Sequence, residues 1–358
     1  INEKDLIKIL FSEKVSVILQ SNEDLTVSFA KEGINAVKIG TINLSGVLKI
    51  EEFDINVKEL RKIWMSTSSK LETKQTKSEL ATIRLENVTK QPLLFRFPQK
   101  FDGKKPKYKS NKIKAAVLRE KGSNSEREMA YMMDLCGFKV RDVHMTDLIK
   151  GRETLEDIQL LVAVGGFSNS DVLGSAKGWA GAFRYNTKAK AALENFFSRT
   201  DTLSLGVCNG CQLFIELGLL YTNHIQKPKM MHNKSGKFEC IFTAVNIKPS
   251  SSIMLKGLEG SILGIWAAHG EGRFSFPKAE INYQIPAKYL YEGYPSNPNG
   301  SDFNAAMLVS DNGRHLVMMP HLERSTFPWN WGHYPNNRKD QISPWILAFE
   351  NAYNWLYK

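Results

Sequence analysis

The fold turns on the stretch Leu203-Ser204-Leu205-Gly206-Val207-Cys208-Asn209-Gly210-Cys211-Gln212. An apolar run of strand length, 203–207, passes directly into Gly-x-Cys-x-Gly, the form of a nucleophile elbow at a strand-to-helix junction. Small residues at Gly206 and Gly210 suit a turn in which strand, helix and side chain crowd together. A thiol placed there sits at a helix N-terminus, whose partial positive charge favours the nucleophilic thiolate. Taken alone, Cys208 also fits a buried strand-end cysteine, and Cys208-x-x-Cys211 also fits half of a zinc site or a redox pair. Zinc wants a second pair at metal spacing, whereas Cys136 and Cys240 are isolated, and a redox pair leaves the flanking glycines unexplained. The nucleophile reading accounts for them, and no metal site is expected.

Outward from this elbow, apolar runs at 113–118, 140–144, 160–164 and 203–207 alternate with helical stretches at 125–136, up to 155, and 188–198. Ser125 with Glu128 predicts a capping box, and Gly137 a helix stop. The alternation predicts an α/β fold, a doubly wound, mostly parallel sheet with ligands at the carboxyl ends of its strands. β-rich additions follow at 238–247 and 262–267, and runs at 306–309 and 315–319 flank the hairpin signal Asp311-Asn312-Gly313. Ser343 and Pro344 predict the N-cap and first position of a C-terminal helix. Upstream, strands are expected at 15–19, 36–42 and 48–50, with helices at 23–32, stopped by Gly33, and 57–69. That set is too small to close a sheet and reads as the tail of another α/β domain.

Of 358 residues, 48 are basic and 37 acidic, a balance of +11, while 42% hydrophobic and 24% charged content is ordinary for a globular protein. The first 112 residues hold 21 basic and 14 acidic side chains, so most of the excess lies there. The cluster Lys100, Lys104, Lys105, Lys107, Lys109 and Lys112, with Gly103, Pro106 and Ser110 among it, reads as a solvated linker. No nucleic-acid motif accompanies the charge, no apolar run approaches the roughly 20 residues of a membrane span, and four scattered cysteines fit a reducing, cytoplasmic setting. The chain starts at Ile1 with no signal-peptide pattern, and is expected to begin inside a longer one.

A thiolate needs a base, and the base an orienter. His321 follows the run 315–319 through Pro320, with Glu323 two residues on. In an extended segment such residues face the same way, so the carboxylate could hold one imidazole nitrogen while the other reaches the thiol. As a bare pattern the pair also fits the surface. Gly165-Gly166-Phe167-Ser168 closes the third strand; a backbone amide there and that of Asn209 could form an oxyanion hole, although an ordinary strand-to-helix turn reads the same way.

Gly206-Val-Cys-Asn-Gly-Cys-Gln212, Gly165-Gly-Phe-Ser168 with Asp171-Val-Leu-Gly174, and Pro320-His-Leu-Glu-Arg324 together resemble the glutaminase domain of the phosphoribosylformylglycinamidine synthase family, large single-chain type. Val143-His-Met-Thr-Asp-Leu148, His232-Asn-Lys-Ser-Gly-Lys-Phe-Glu239, Ala268-His-Gly-Glu-Gly-Arg273 and Asn297-Pro-Asn-Gly-Ser301 are similar too, and the resemblance spans about 112–358. One departure is Leu322, where the family often has proline; the flanking catalytic positions keep their spacing.

The resemblance implies a class I glutaminase-like fold at 112–358, a C-terminal remnant of a synthetase domain at 1–56, and a helix and basic linker at 57–111. It implies a triad of Cys208, His321 and Glu323, an oxyanion hole at Phe167 and Asn209, and glutamine contacts from Gly166, Gln212, Asn233 and Ser235. Glutamine is the implied substrate, hydrolysed through a Cys thioester. The ammonia then serves ATP-dependent conversion of formylglycinamide ribonucleotide to the formylglycinamidine ribonucleotide in purine biosynthesis. This is the work of a glutamine-hydrolysing carbon–nitrogen ligase. The implied partner is the synthetase region of the same polypeptide, upstream of Ile1, which would take ATP and Mg2+; no cofactor is expected in this chain. Two rivals are a stand-alone cysteine hydrolase, which would place histidine directly after the nucleophile where Asn209 stands, and a degenerate binding module, against which the intact triad argues.

Overall fold

The strand–helix alternation read from residue 113 onward appears in a computed structural model that describes residues 5, 7–8, 11–13, 15–90, 93–108 and 112–358. Ile1, Lys109 and Ser110 of the sequence reading lie outside the described residues. Contacts divide the chain into two compact units, Ile1–Lys58 and Glu59–Lys358.

The first unit contains helix α1 (Thr26–Lys31) and an antiparallel hairpin of β1 (Val47–Ile50) and β2 (Phe53–Asn56). Gly33 ends α1 as expected, in the left-handed conformation at φ +70°. The strands expected at 15–19 and 36–42 are corrected: both segments are irregular, and Val15, Val17, Ile18, Leu19, Val37, Ile39 and Ile42 are exposed. A β-branched run becomes a strand only when a neighbour takes its backbone groups and a packed surface takes its side chains. Among the described residues, neither segment has a strand partner.

Helix α2 (Val57–Glu72) and α3 (Ser78–Glu86) follow. Residues 93–108, read as linker, lie against the larger unit because their start is aromatic. Leu93 and Phe101 are buried, and Phe95 and Phe97 meet Trp331 edge-on at 5.1 and 5.6 Å. Arg96 exchanges backbone hydrogen bonds with Ile262 at 2.9 and 2.8 Å. Lys100, Lys104, Lys105 and Lys107 remain exposed.

The larger unit continues with β3 (Lys114–Arg119), α4 (Glu126–Leu135), β4 (Lys139–His144), α5 (Met145–Lys150), β5 (Leu160–Ala163), α6 (Lys177–Tyr185), α7 (Thr187–Ser198), β6 (Leu203–Val207) and α8 (Asn209–Leu217). After these come β7 (Lys229–Met231), β8 (Glu239–Ile247), β9 (Ile262–His269), β10 (Arg273–Ser275), β11 (Ala287–Tyr289), β12 (Met307–Val309), β13 (His315–Met318) and α9 (Ile346–Leu356). Six strands form the main sheet in the order β12-β13-β6-β5-β3-β4, parallel except for the β12–β13 hairpin. β3 has β4 on one side and β5 on the other, so the chain reverses its direction of travel there. Right-handed crossovers then put α4 on one face and α5 to α8 on the other. The packing agrees: α4 meets α9, while α5, α6, α7 and α8 pack among themselves. β5, β6, β12 and β13 are buried along their whole length, the signature of strands covered on both faces. The β-rich additions form a β11-β8-β9 sheet and a β7–β10 ladder.

Three local expectations change. Ser125 does not cap α4; it takes φ +72°, and its hydroxyl accepts from Arg324 at 2.9 and 3.1 Å. The helix expected up to 155 ends at Lys150, because Gly151 supplies a left-handed stop at φ +74°. α9 starts two residues after Pro344, since the Ser343 hydroxyl donates to Ser325 O and holds 343–345 in a turn. No helix among the described residues is long and apolar enough to cross a membrane.

Candidate active site

The adjacent parallel strands β5, β6 and β13 end side by side, delivering respectively Gly165-Gly166, Cys208 and Pro320-His321 to one edge of the sheet. Cys208 is the hinge between β6 and α8, held at φ +51°, ψ −106°. A non-glycine residue there stores backbone strain that its surroundings must impose. They do so by crowding. A Cβ on Gly206 would stand 2.7 Å from Gly210 O, and one on Gly210 would stand 2.0 Å from Ala163 O. The Cys208 amide donates to Met318 O at 2.9 Å, fastening the elbow to β13. Its thiol lies 3.6 Å from Ala268 O, and the residue is 5% exposed.

His321 and Glu323 meet, though not as an extended pair. Leu322 is helical (φ −70°, ψ −33°) and Glu323 opens a 3-10 turn, so a tight turn folds the carboxylate back onto the imidazole. Nδ1 of His321 and Oε1 of Glu323 are 2.6 Å apart, both residues buried. The backbone N–H of His321 donates to Trp266 O at 2.7 Å. Burial alone would push the imidazole down, but Glu323 and the Cys208 sulfur lift it to about 9. Burial would raise the Glu323 carboxyl, and His321 brings it below the usual range. Among the described residues, His321 Nε2 has no hydrogen-bond partner. Gly165 fits between base and nucleophile: a Cβ on it would lie 2.8 Å from His321 Cε1 and 3.4 Å from Cys208 Cβ.

The oxyanion donors expected at Phe167 and Asn209 are placed differently from each other. Asn209 opens α8, where backbone N–H groups have no partner within the helix. The Phe167 N–H instead donates to Gly122 O at 2.8 Å, since 122–124 and 165–167 pair as a short antiparallel bridge. Gly166 N–H has no partner among the described residues, and Gly166 lines the cavity at φ +115°. A Cβ on Gly166 would strike Ser123 and Asn124 at 2.6 Å.

A cavity of about 310 Å³ opens on the thiol. Gly166 and Gln212 line it; Asn233 and Ser235 do not. Gln212 accepts from Asn209 Nδ2 and donates to Glu271 O, both at 2.9 Å, while Asn209 Oδ1 takes the Ser168 amide at 3.1 Å. This chain of amides ties two loops, those after β5 and β9, to the start of α8. Asn233 is consumed in bracing, donating to Lys237 O and His269 O and accepting from Gly272 N. His269, Glu271 and Asp171, to which the sequence analysis gives no role beyond their place in segments similar to the family, all line the cavity. Burial, followed by the charge of His321, holds His269 down at about 3, so it is neutral, with Nε2 2.9 Å from Asn299 Nδ2. Of these two buried imidazoles, His321 is the one raised toward its charged form, in part by the Cys208 sulfur.

Residues 112–356 match the CobB/CobQ-like glutamine amidotransferase domain. The chain is 38% identical to a probable phosphoribosylformylglycinamidine synthase, chloroplastic/mitochondrial, of Arabidopsis thaliana, over 99% of this chain and 28% of that protein. It is 36% identical to the phosphoribosylformylglycinamidine synthase of Homo sapiens, over 98% of this chain and 29% of that protein. The chain thus spans less than a third of the length of these relatives. Among solved structures, PurLQS from Thermotoga maritima matches with a TM-score of 0.54 and 25% identity, over 68% of this chain and 99% of that one.

Proposed function

The chain belongs to the CobB/CobQ-like glutamine amidotransferase domain family, and we propose that it is the glutaminase part of a phosphoribosylformylglycinamidine synthase. The observation that carries this reading is the buried His321–Glu323 pair set against Cys208 at the mouth of one cavity. The Cys208 sulfur attacks the side-chain carboxamide carbon of glutamine. The oxyanion that forms is held by the N–H groups of Asn209 and Gly166, each such donor being worth about 3 kcal/mol. His321 gives a proton to the departing ammonia, leaving a thioester and free to take one from water. That water attacks the thioester carbon, glutamate leaves, and the thiolate returns. Glu323 fixes the imidazole tautomer and stabilises its charged form.

In the whole protein the ammonia replaces the amide oxygen of formylglycinamide ribonucleotide, in a synthetase region that takes ATP and Mg2+. The relatives' names and near-complete coverage of this chain support that assignment. Four free cysteines support a reducing compartment such as the cytoplasm.

The test is Cys208→Ala in the full-length enzyme. Glutamine-dependent synthesis should fall at least about a thousandfold while synthesis from added ammonium persists. Survival of the glutamine-dependent rate would remove Cys208 from its role.

A further inference from the structure

A second cavity, of about 510 Å³, opens at the carboxyl edge of the main sheet, a volume in the range of small-molecule sites. It is lined by Glu120, the residue after β3, and by Ser168 in the loop after β5. β3 and β5 are neighbours at the point where the chain reverses its direction of travel. The crevice beyond the strand ends at such a point is where open α/β sheets take ligands. The loop after β5 divides this cavity from the one at the thiol: Phe167, Asp171 and Ser175 line the thiol cavity, while Ser168, Asn169, Val172 and Leu173 line the second. Glutamine hydrolysis makes no use of the second.

Its lining has the marks of a polar ligand with a flat apolar body. Ser168 is 1% exposed, and its hydroxyl has no hydrogen-bond partner among the described residues; a buried hydroxyl left unpaired is costly, and a ligand atom removes that cost. Glu120 Oε1 accepts from the Lys121 amide at 2.7 Å, which leaves Oε2 to accept from a ligand. Across the cavity, α6 begins without a side-chain cap or an acidic residue in its first turn, and Gly178 of that turn lines the cavity. Lys177 Nζ lies 3.3 Å from where a Cβ on Gly174, another lining residue, would stand. An uncapped helix start beside an ammonium group suits an anion. Ile149 of α5 and Ala182 of α6 add aliphatic walls.

We infer that this cavity is a binding site for a guanine nucleoside monophosphate, with Glu120 on the base and the start of α6 with Lys177 on the phosphate. A carboxylate only accepts hydrogen bonds. Guanine meets it with two adjacent donors, the ring N–H and the 2-amino group, whereas adenine sets a bare ring nitrogen beside its amino group and is repelled. The aliphatic side chains take the faces of the ring, and the Ser168 hydroxyl gains a partner among its polar atoms.

The experiment titrates the full-length protein calorimetrically with GMP, AMP and guanosine. GMP should bind at least about tenfold more tightly than AMP, for the charged hydrogen bonds to Glu120, and at least about tenfold more tightly than guanosine, for those to the phosphate. Glu120→Gln should erase the preference for GMP over AMP and leave that for GMP over guanosine; Lys177→Met should shrink the second preference and leave the first. Thermal melting shows whether each variant is folded, and either variant alone decides the question. No binding of GMP at millimolar concentration, equal affinity for GMP and AMP, or GMP binding that a folded variant leaves unchanged would overturn the site, the last by placing the nucleotide elsewhere in the protein. None of these outcomes bears on Cys208 or on the glutaminase reading.

Discussion

Nδ1 of His321 stands 2.6 Å from Oε1 of Glu323 with both residues buried, so the neutral imidazole is held in the tautomer that leaves Nε2 available to the thiol. Glu323→Gln preserves shape but can donate to Nδ1, which turns the ring to the wrong tautomer. Its glutamine hydrolysis should fall by roughly a thousand- to ten-thousandfold in kcat, read as ammonia release under saturating glutamine.

The same pair makes stability depend on pH. His321 is raised from 6.5 to about 9, so its contribution is complete below 6.5 and is lost as pH climbs through about 9. Glu323 is lowered, so its contribution is present above 4.5 and is lost as pH falls through its depressed value. The melting-temperature gap between the native protein and Glu323→Gln should be widest near pH 5–6 and should close above about pH 9. A gap unchanged between pH 6 and 10 would contradict it.

Gly210 tests the packing that forces Cys208 into its strained conformation. Its Cβ would fall 2.0 Å from a backbone oxygen of β5, which has no room to retreat in a fully buried strand. Gly210→Ala should cost at least about 2 kcal/mol, a drop of roughly 4 °C or more in thermal melting. Gly236→Ala is a control for the loss of a glycine, since nothing lies within 4 Å of its Cβ position even though its φ is positive.

The parallel sheet, the elbow at Cys208 and the meeting of His321 with Glu323 were legible because they are written in local order: apolar runs of strand length, glycines on either side of Cys208, and a His-x-Glu step. What local order hides is how the pieces meet. Phe167 and Gly166 are neighbours in the same glycine-rich turn, yet pairing with residues 122–124 engages the amide of Phe167 and leaves that of Gly166. The resemblance implies a glutamine contact from Asn233, but its side-chain amide is spent on three backbone groups. The runs at 15–19 and 36–42 carry β propensity, but propensity supplies no partner strand. Asp171 and Glu271, 100 positions apart in the chain, are brought together through Ser175.

Acid should destabilise the protein through imidazoles remote from the reaction as well as near it. His269 and His315 are buried and held at about 3, burial being the main cause in each. His315 Nδ1 lies 3.0 Å from the Ser204 hydroxyl beneath the elbow strand. A depressed histidine is neutral when folded and takes a proton when unfolded, so stability falls as pH drops below 6.5 toward 3. At pH 5 each should remove about 2 kcal/mol. His315→Gln, which cannot protonate, should flatten the stability curve between pH 6.5 and 4 even where it lowers stability at pH 7; an unchanged slope in urea titrations would refute the assignment.

The last prediction concerns the ion network behind the cavity, where Arg84 of α3 pairs with Glu72 at 3.0 Å and approaches Glu239 at 3.9 Å. Burial pushes the Tyr294 hydroxyl up, so it remains a donor, and it lies 3.1 and 3.2 Å from the Glu239 oxygens. Among the described residues, Lys237 is the other cation within 4.0 Å of Glu72 and Glu239, and it comes from the loop that lines the cavity. Removing Arg84 leaves two acids to share that one lysine, and removing one partner of a buried ion pair costs more than removing both. Arg84→Met should therefore be more destabilising than the double variant that carries both Arg84→Met and Glu239→Gln. In a double-mutant cycle by chemical denaturation, the coupling between positions 84 and 239 should be about 1 kcal/mol or more. Arg84→Met should also raise the KM for glutamine, because Lys237 is drawn further toward Glu72 and pulls on its loop. A cycle that closes with no coupling would show that each acid is satisfied without the guanidinium.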